Sequence, residues 1–374
     1  LFRSAAIFDR LTEEWNRTGV GPVTPLTPSI LGSNAPSAKD IVGFSEQDYA
    51  RFCVAFEQAS TEEILRYDPR EVTVLANDVS EGPDFERLGK AGYRIATIYH
   101  VDVVAYIADV YMRGLLAPRT TVQLYPWLSW AMPKLARLIW EKQGASVQYS
   151  SALIVPSAGM KRVLLDCYPQ CPSDRIRVMP WGALPTTSSD STPLRQEFGV
   201  PANAKVILTM SRLSPEKGID GLLKSLAENE RDDVWLFVCG EAAFMKGEAY
   251  ERKIRALAEK LKKIKVVFPG YVSGERKRQF FALANVFVFP SIHESYGLTL
   301  MEALAAGLPA VCTPTSGAKE IMRPELGELA EAKGLAQAIY RVMEKKWGRA
   351  PQEYAAAHPF AECAAQIGSY CSEN

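Results

Sequence analysis

Short runs that are apolar on both faces alternate with amphipathic stretches along nearly the whole 374-residue chain. The runs are EVTVLAN (71–77), RIATIYH (94–100), SALIVPS (151–157), KVILTMS (205–211), VWLFVCG (234–240), KVVFPG (265–270), NVFVFPS (285–291) and LPAVCT (308–313). A strand with one wet face alternates polar and apolar residues; these do not, as expected of buried parallel strands. Between them lie stretches such as GMKRVLLDCY, KGIDGLLKSLAEN and GERKRQFFALA, which read as amphipathic helices. Strand–helix–strand alternation restricts the chain to an α/β architecture, with parallel sheets joined by right-handed crossovers. No internal repeat interrupts it.

A chain of 374 residues is too long for one ordinary core, so two domains are expected. The boundary falls in WGALPTTSSDSTPLRQEFGV, rich in Ser, Thr and Pro, which separates one α/β run from a fresh one at Lys205. The expected division is a first domain over 1–180, a linker over 181–204, a second domain over 205–350, and a helix over 351–374 returning to the first domain. Both domains are read as doubly wound, Rossmann-like parallel sheets facing across a cleft. The chain opens on an amphipathic helix, LFRSAAIFDRLTEEWNRTG, where a doubly wound domain normally has a strand and a glycine-rich turn. That strand and loop are expected ahead of Leu1; their true absence is the alternative.

Lys+Arg and Asp+Glu both number 43, so no global field points to nucleic acid and any anion site must be local. Seven cysteines are scattered through apolar contexts, and Cys167 and Cys171 have no second pair to complete a zinc site. A disulfide framework is not expected, and a reduced, cytoplasmic protein fits this usage. No apolar run approaches the roughly 18 residues of a membrane span, and no signal peptide is visible.

In open α/β sheets ligands sit beyond the carboxyl ends of the strands, where helix N-termini point. Three such ends carry unusual residues. SRLSPEKG (211–218) places Arg212 and Lys217 on one strand-to-helix loop, a planar fork and a point charge suited to phosphate oxygens. Two surface cations near Glu216 are the plainer reading. In HESYGLTLME (293–302), Tyr296, Gly297 and Leu298 are expected to form the first turn of an anion-binding helix. Glu302 then falls in the second turn, able to accept from a ribose diol, while Glu294 precedes the helix and reaches beyond the phosphates. The plainer reading makes Glu294 an N-terminal cap and Glu302 a solvated charge. The third end, FPGYVSGE (268–275), offers backbone near Tyr271 and Val272 to a planar base, with Gly240 and Glu241 as a further wall. Together these ends suit a nucleoside diphosphate. No GxGxxG follows a strand, no GxxxxGK[ST] occurs, and neither HExxH nor a paired CxxC is present, so no cofactor and no metal are expected.

EKG after a strand ending in SR, followed by PSxxExxGLxxxEALAxGxPxV, resembles the retaining glycosyltransferases of the GT-B fold, family 4 (group 1). The match is dense over about 205–322 and looser before it. TIYHVD resembles the family's strand ending in His, and RIRVMPWGAL its linker entry, with Trp181 where Asn is usual. The resemblance implies a hexosyltransferase with a nucleotide-sugar donor, UDP most commonly, bound by the second domain, an acceptor on the first and retention of anomeric configuration. It assigns the diphosphate to Arg212, Lys217 and the amides near Gly297 and Leu298, and the ribose to Glu302. It gives the transferred sugar to Glu294, faced by His100 from the opposite domain, and it needs no metal.

The acceptor side is thin. YPWLSWAMPKLARLIW (125–140) sets Trp127, Trp130 and Trp140 near Lys134 and Arg137, which suits buried aromatics under a helix, a lipid-linked acceptor or contact with the inner face of a membrane. The acceptor itself is left open between a small molecule, a glycan and a lipid-linked group. Two other functions stay open: a GT-B sugar-nucleotide epimerase, and a non-catalytic sugar-nucleotide binder. Base, sugar, acceptor, linkage and oligomeric state are not legible.

Overall fold

The computed structural model describes the chain except residues 1, 38–39, 42, 102–116, 185, 187–188, 243–246 and 373–374. It divides into two units, Leu1–Pro180 with Ala361–Asn374, and Trp181–Phe360.

In the first unit, β1 (Thr73–Ala76), β2 (Arg94–Ile98), β3 (Ala152–Val155) and β4 (Ile176–Val178) form a parallel sheet in that order. The register pairs Leu75 with Ala96, Thr97 with Leu153 and Ile154 with Arg177. β2 and β3 are almost wholly buried, which explains their continuous apolar runs. β4 was not among the apolar runs read as strands, although the resemblance of RIRVMPWGAL to the family's linker entry implies a strand before the proline. It is three residues long and last in the described sheet, and its exposed Arg177 interrupts the apolar pattern. Around the sheet run α1 (Phe2–Thr18), α2 (Glu46–Ile64), α3 (Phe85–Lys90), α4 (Pro118–Leu128), α5 (Lys134–Tyr149) and α6 (Ala158–Cys167). Ser45, Asp84 and Ser157 each accept a backbone N–H from the helix they precede.

The second unit holds β5 (Lys205–Met210), β6 (Val234–Cys239), β7 (Lys265–Gly270), β8 (Val286–Phe289), β9 (Ala310–Cys312) and β10 (Gly327–Leu329), all parallel, in the order β10-β9-β8-β5-β6-β7. β10, short and half polar, also escaped the sequence pattern. The helices are α7 (Thr192–Phe198), α8 (Ile219–Ala227), α9 (Gly247–Ala258), α10 (Gly274–Leu283), α11 (Leu298–Ala305), α12 (Ser316–Ile321), α13 (Leu335–Glu344) and α14 (Ala350–Ala357). One face of the sheet packs Ile207, Leu236, Val286 and Val311 against Leu222, Leu226, Ile339 and Val342 of α8 and α13. On α7, Phe198 meets Phe237 at 5.3 Å between ring centroids, and Phe237 meets Phe280 of α10 at 5.4 Å. The expected linker over 181–204 is therefore part of the second unit: it carries a helix with a core residue of its own.

The expected last helix is two. α14 stops before His358 and Pro359, because proline lacks the N–H that a continuing helix needs and biases the residue before it away from helical backbone. The chain there returns to the second unit, Ala183 donating its N–H to the His358 carbonyl at 2.8 Å. α15 (Phe360–Ser372) then joins the first unit. Trp15 Nε1 of α1 donates to the Ala364 carbonyl at 2.7 Å, and Tyr370 donates to Ser151 Oγ at 3.1 Å.

Six cysteines are buried and Cys371 is half-buried, all as free thiols. Burial pushes Cys53 and Cys363 up to about 12, so these thiols pack as small apolar groups rather than as nucleophiles.

Candidate functional site

The second unit's strand order has one reversal. From β5 the chain moves outward through β6 and β7, then crosses back to place β8 on the other side of β5. Loops leaving β5 and β8 thus diverge from neighbouring strands, the position where open α/β sheets form a ligand crevice. These two loops are 211–218 and 290–297, the segments that carry the charged motifs.

Backbone contacts lock them together. The Glu216 carbonyl accepts the Ile292 N–H at 2.8 Å. Gly218 has φ +63°, and a Cβ there would lie 2.0 Å from the Pro290 carbonyl oxygen, so only glycine lets the loops approach this closely. Gly240, at the end of β6 with φ +141°, is constrained in the same way: a Cβ would lie 1.8 Å from the Ser211 carbonyl oxygen. At Gly240, too, backbone packs on backbone.

Lys217 and Glu294, expected to contact different parts of a ligand, meet each other. Nζ donates to Oε2 at 2.6 Å, with the side chains only 4% and 7% exposed. Glu294 is therefore not a helix cap; the cap position of α11 belongs to Gly297, at φ +125°. α11 starts at Leu298, so Tyr296 lies outside the helix whose first turn it was expected to share. Its ring is buried, and its hydroxyl oxygen accepts the Gly182 N–H at 3.0 Å. Arg212 Nη2 lies 3.8 Å from Glu216 Oε1, with the arginine side chain 30% exposed.

Glu302, in the second turn of α11, accepts from Lys277 Nζ of α10 at 2.6 Å, both about a quarter exposed. Lys277 was not singled out in the sequence because it sits in a charged helical run, GERKRQ, without a distinguishing spacing. Thr299, second residue of α11, was missed as well. Its hydroxyl oxygen is buried with no hydrogen-bond partner among the described residues. Tyr271 is exposed and Val272 buried, at the end of β7, two strands from β5.

His100 belongs to the first unit, two residues beyond β2. Its Nε2 pairs with Asn77 Oδ1 at 3.2 Å. Burial lowers the imidazole to about 4 against the opposing pull of Asp78, so the ring is neutral near pH 7. The loop after β1 also holds a polar nest that spacing could not reveal, since its partners come from distant helices. Tyr49 donates to Glu81 Oε1 at 3.0 Å, and buried Lys142 donates to the Gly82 carbonyl at 2.6 Å and pairs with Glu57 at 2.8 Å. Burial, reinforced by Asp78, raises the Glu81 carboxyl to about 7. The folded chain therefore holds a proton here that the unfolded chain releases at lower pH. The stabilisation is present at low pH and lost as pH rises through about 7. Unfolding free energy measured in urea is expected to drop by on the order of 2 kcal/mol more across this window in the wild type than in Glu81→Gln. His100, which acts in the opposite sense, is common to both proteins. Identical slopes would contradict the assignment.

The family model described as glycosyl transferases group 1 matches residues 190–357. A D-inositol 3-phosphate glycosyltransferase of Geodermatophilus obscurus is 31% identical over 345 residues, 90% of this chain and 69% of that protein. An uncharacterised glycosyltransferase of Methanocaldococcus jannaschii is 27% identical over 217 residues, 54% of this chain and 53% of its own. The chain spans about half the length, or less, of the first curated relatives it matches. Among solved structures, Anabaena HepE in complex with UDP and glucose aligns with a TM-score of 0.65 at 20% identity, covering 87% of this chain and 82% of that one. Sucrose-phosphate synthase from Thermosynechococcus elongatus aligns with a TM-score of 0.67 at 20% identity, covering 87% and 79%. At that identity the likeness is one of fold, and the fold is GT-B. By its match to the group 1 model and its 31% identity to the Geodermatophilus enzyme over 90% of this chain, the chain belongs to the glycosyl transferases group 1.

Proposed function

We propose that this protein transfers a sugar from a nucleoside-diphosphate sugar, with UDP as the first candidate, to an acceptor with retention of anomeric configuration. The observation that carries the reading is the buried Lys217–Glu294 pair at the crossing point of β5 and β8, beside the start of α11. A buried ion pair is a poor device for stability, since apolar residues of the same volume do as well or better. At a ligand crevice its use is to hold a cation and an acid ready for opposite parts of one substrate. UDP is favoured by the Anabaena HepE complex, a neighbour in fold.

In this reading the diphosphate lies against the first N–H groups of α11, where Arg212 and Lys217 offset its charge. As the sugar C1–oxygen bond breaks, the electron pair stays on the phosphate oxygen, and these groups stabilise it without calling on a metal ion. The acceptor hydroxyl oxygen bonds to C1 on the face the diphosphate leaves, and its proton passes to that phosphate oxygen. Glu294 orients hydroxyls of the transferred sugar and Glu302 accepts from the ribose. Gly240, Tyr271 and Val272 supply backbone beside the base. His100, neutral, offers a hydrogen bond to a substrate hydroxyl rather than a charge.

Thermal unfolding in the presence of UDP-, GDP- and ADP-sugars tests the donor. A nucleotide sugar at 100 times its Kd is expected to add about 2.7 kcal/mol to stability. No shift with any of them would contradict the reading.

A further inference from the structure

The segment 118–140 combines two features that the donor reading does not use. Its aromatic residues divide sharply between core and surface. Trp140 is buried and stacks on Tyr125 at 4.9 Å between centroids, so the part of the stretch expected to be core is core. Trp127 and Trp130, by contrast, are 77% and 82% exposed, with Leu124 beside them on α4 at 37%. Two nearly bare indoles three residues apart are costly to keep in water.

The second feature is charge. Residues 118–140 contain Arg119, Lys134 and Arg137, all exposed, and no acid, in a chain whose net charge is zero. The first acid after them, Glu141, accepts from the Tyr125 hydroxyl at 2.9 Å. Exposed indoles in a stretch whose only charges are positive match a bilayer interface, where Trp settles at headgroup level and Lys and Arg meet anionic lipid. A second copy of the same patch would instead bring like charges together. Among the described residues no helix is long and apolar enough to cross a membrane, so contact would be with the surface.

We propose that Trp127 and Trp130, flanked by Arg119, Lys134 and Arg137, form a docking surface for an anionic phospholipid membrane. The inference stands independently of the donor site.

Co-sedimentation of the full chain with vesicles tests it, using phosphatidylcholine alone and equal parts phosphatidylcholine and phosphatidylglycerol. Binding is expected to the anionic vesicles only, and to weaken with added salt. Lys134→Gln/Arg137→Gln should bind about 30-fold more weakly, taking both cations as lost. Trp127→Ser/Trp130→Ser should lose about tenfold or more while keeping its melting temperature, because neither indole is in the core. Quenching of the wild-type tryptophans by lipids brominated near the headgroup should accompany binding and gives a readout without any substitution. The proposal is overturned if the wild type ignores anionic vesicles, or if both variants bind them as the wild type does. A concentration-dependent dimer that loses its affinity in the tryptophan variant, without vesicle binding, would assign the patch to a second copy and overturn it equally.

Discussion

Replacing Lys217 by alanine is expected to lower the unfolding free energy by about 3–5 kcal/mol and to abolish measurable nucleotide-sugar binding. The stability loss follows from burial: Glu294 would keep a carboxylate 7% exposed with its cation removed. The binding loss follows from position, since Lys217 stands on the loop that Gly218 holds against Pro290, in the loop after β8. The double variant Lys217→Met/Glu294→Leu separates the two effects. It fills the same space without charge, so stability should return to within about 1–2 kcal/mol of the wild type or exceed it, whereas binding should not return. Urea denaturation of the three proteins checks this. If Lys217→Ala were as stable as the wild type, the pair would not be the buried, coupled unit described.

Gly218→Ala should be nearly as damaging with no change of charge. The added Cβ would meet the Pro290 carbonyl oxygen at 2.0 Å, in a left-handed backbone conformation that alanine adopts at a cost of about 1–2 kcal/mol. The loops must part to admit it, loosening the Ile292 N–H to Glu216 bond, so a total loss of about 3 kcal/mol or more is expected. Donor affinity should fall about 100-fold, as a displacement of the order of 1 Å at a positioning loop allows. A melting temperature and donor affinity both unchanged would show that the loops are not rigidly joined.

Much of this architecture was legible in the sequence, for a physical reason. Strands buried on both faces leave long apolar runs, with an occasional threonine such as Thr97 or Thr209 inside them. All eight runs became strands, including β7 at the sheet edge, which is only partly buried. β4 and β10, three residues each, carry Arg177 and Glu328 and left no such trace. The residues of the site were legible as types at strand ends; their partners were not. Lys217 and Glu294 are 77 positions apart and meet only because β8 returns beside β5, a fact of strand order that no local spacing encodes. The same holds for Glu302, whose partner Lys277 comes from another helix. Tyr296 was misread because it adjoins Gly297 and Leu298, which suggested a shared helix turn, whereas Gly297, at positive φ, is the cap and the helix starts at Leu298, two residues later than expected. Aromatic content likewise could not tell Trp140, stacked inside, from Trp127 and Trp130, turned outward.

The central claim is that the Lys217–Glu294 pair exists for a donor rather than for stability. Calorimetric titration of UDP-sugar into the folded Lys217→Met/Glu294→Leu protein tests it most directly. A melting temperature at or above that of the wild type, with donor affinity reduced about 100-fold or more, is the predicted result. Wild-type affinity in that protein would contradict the account.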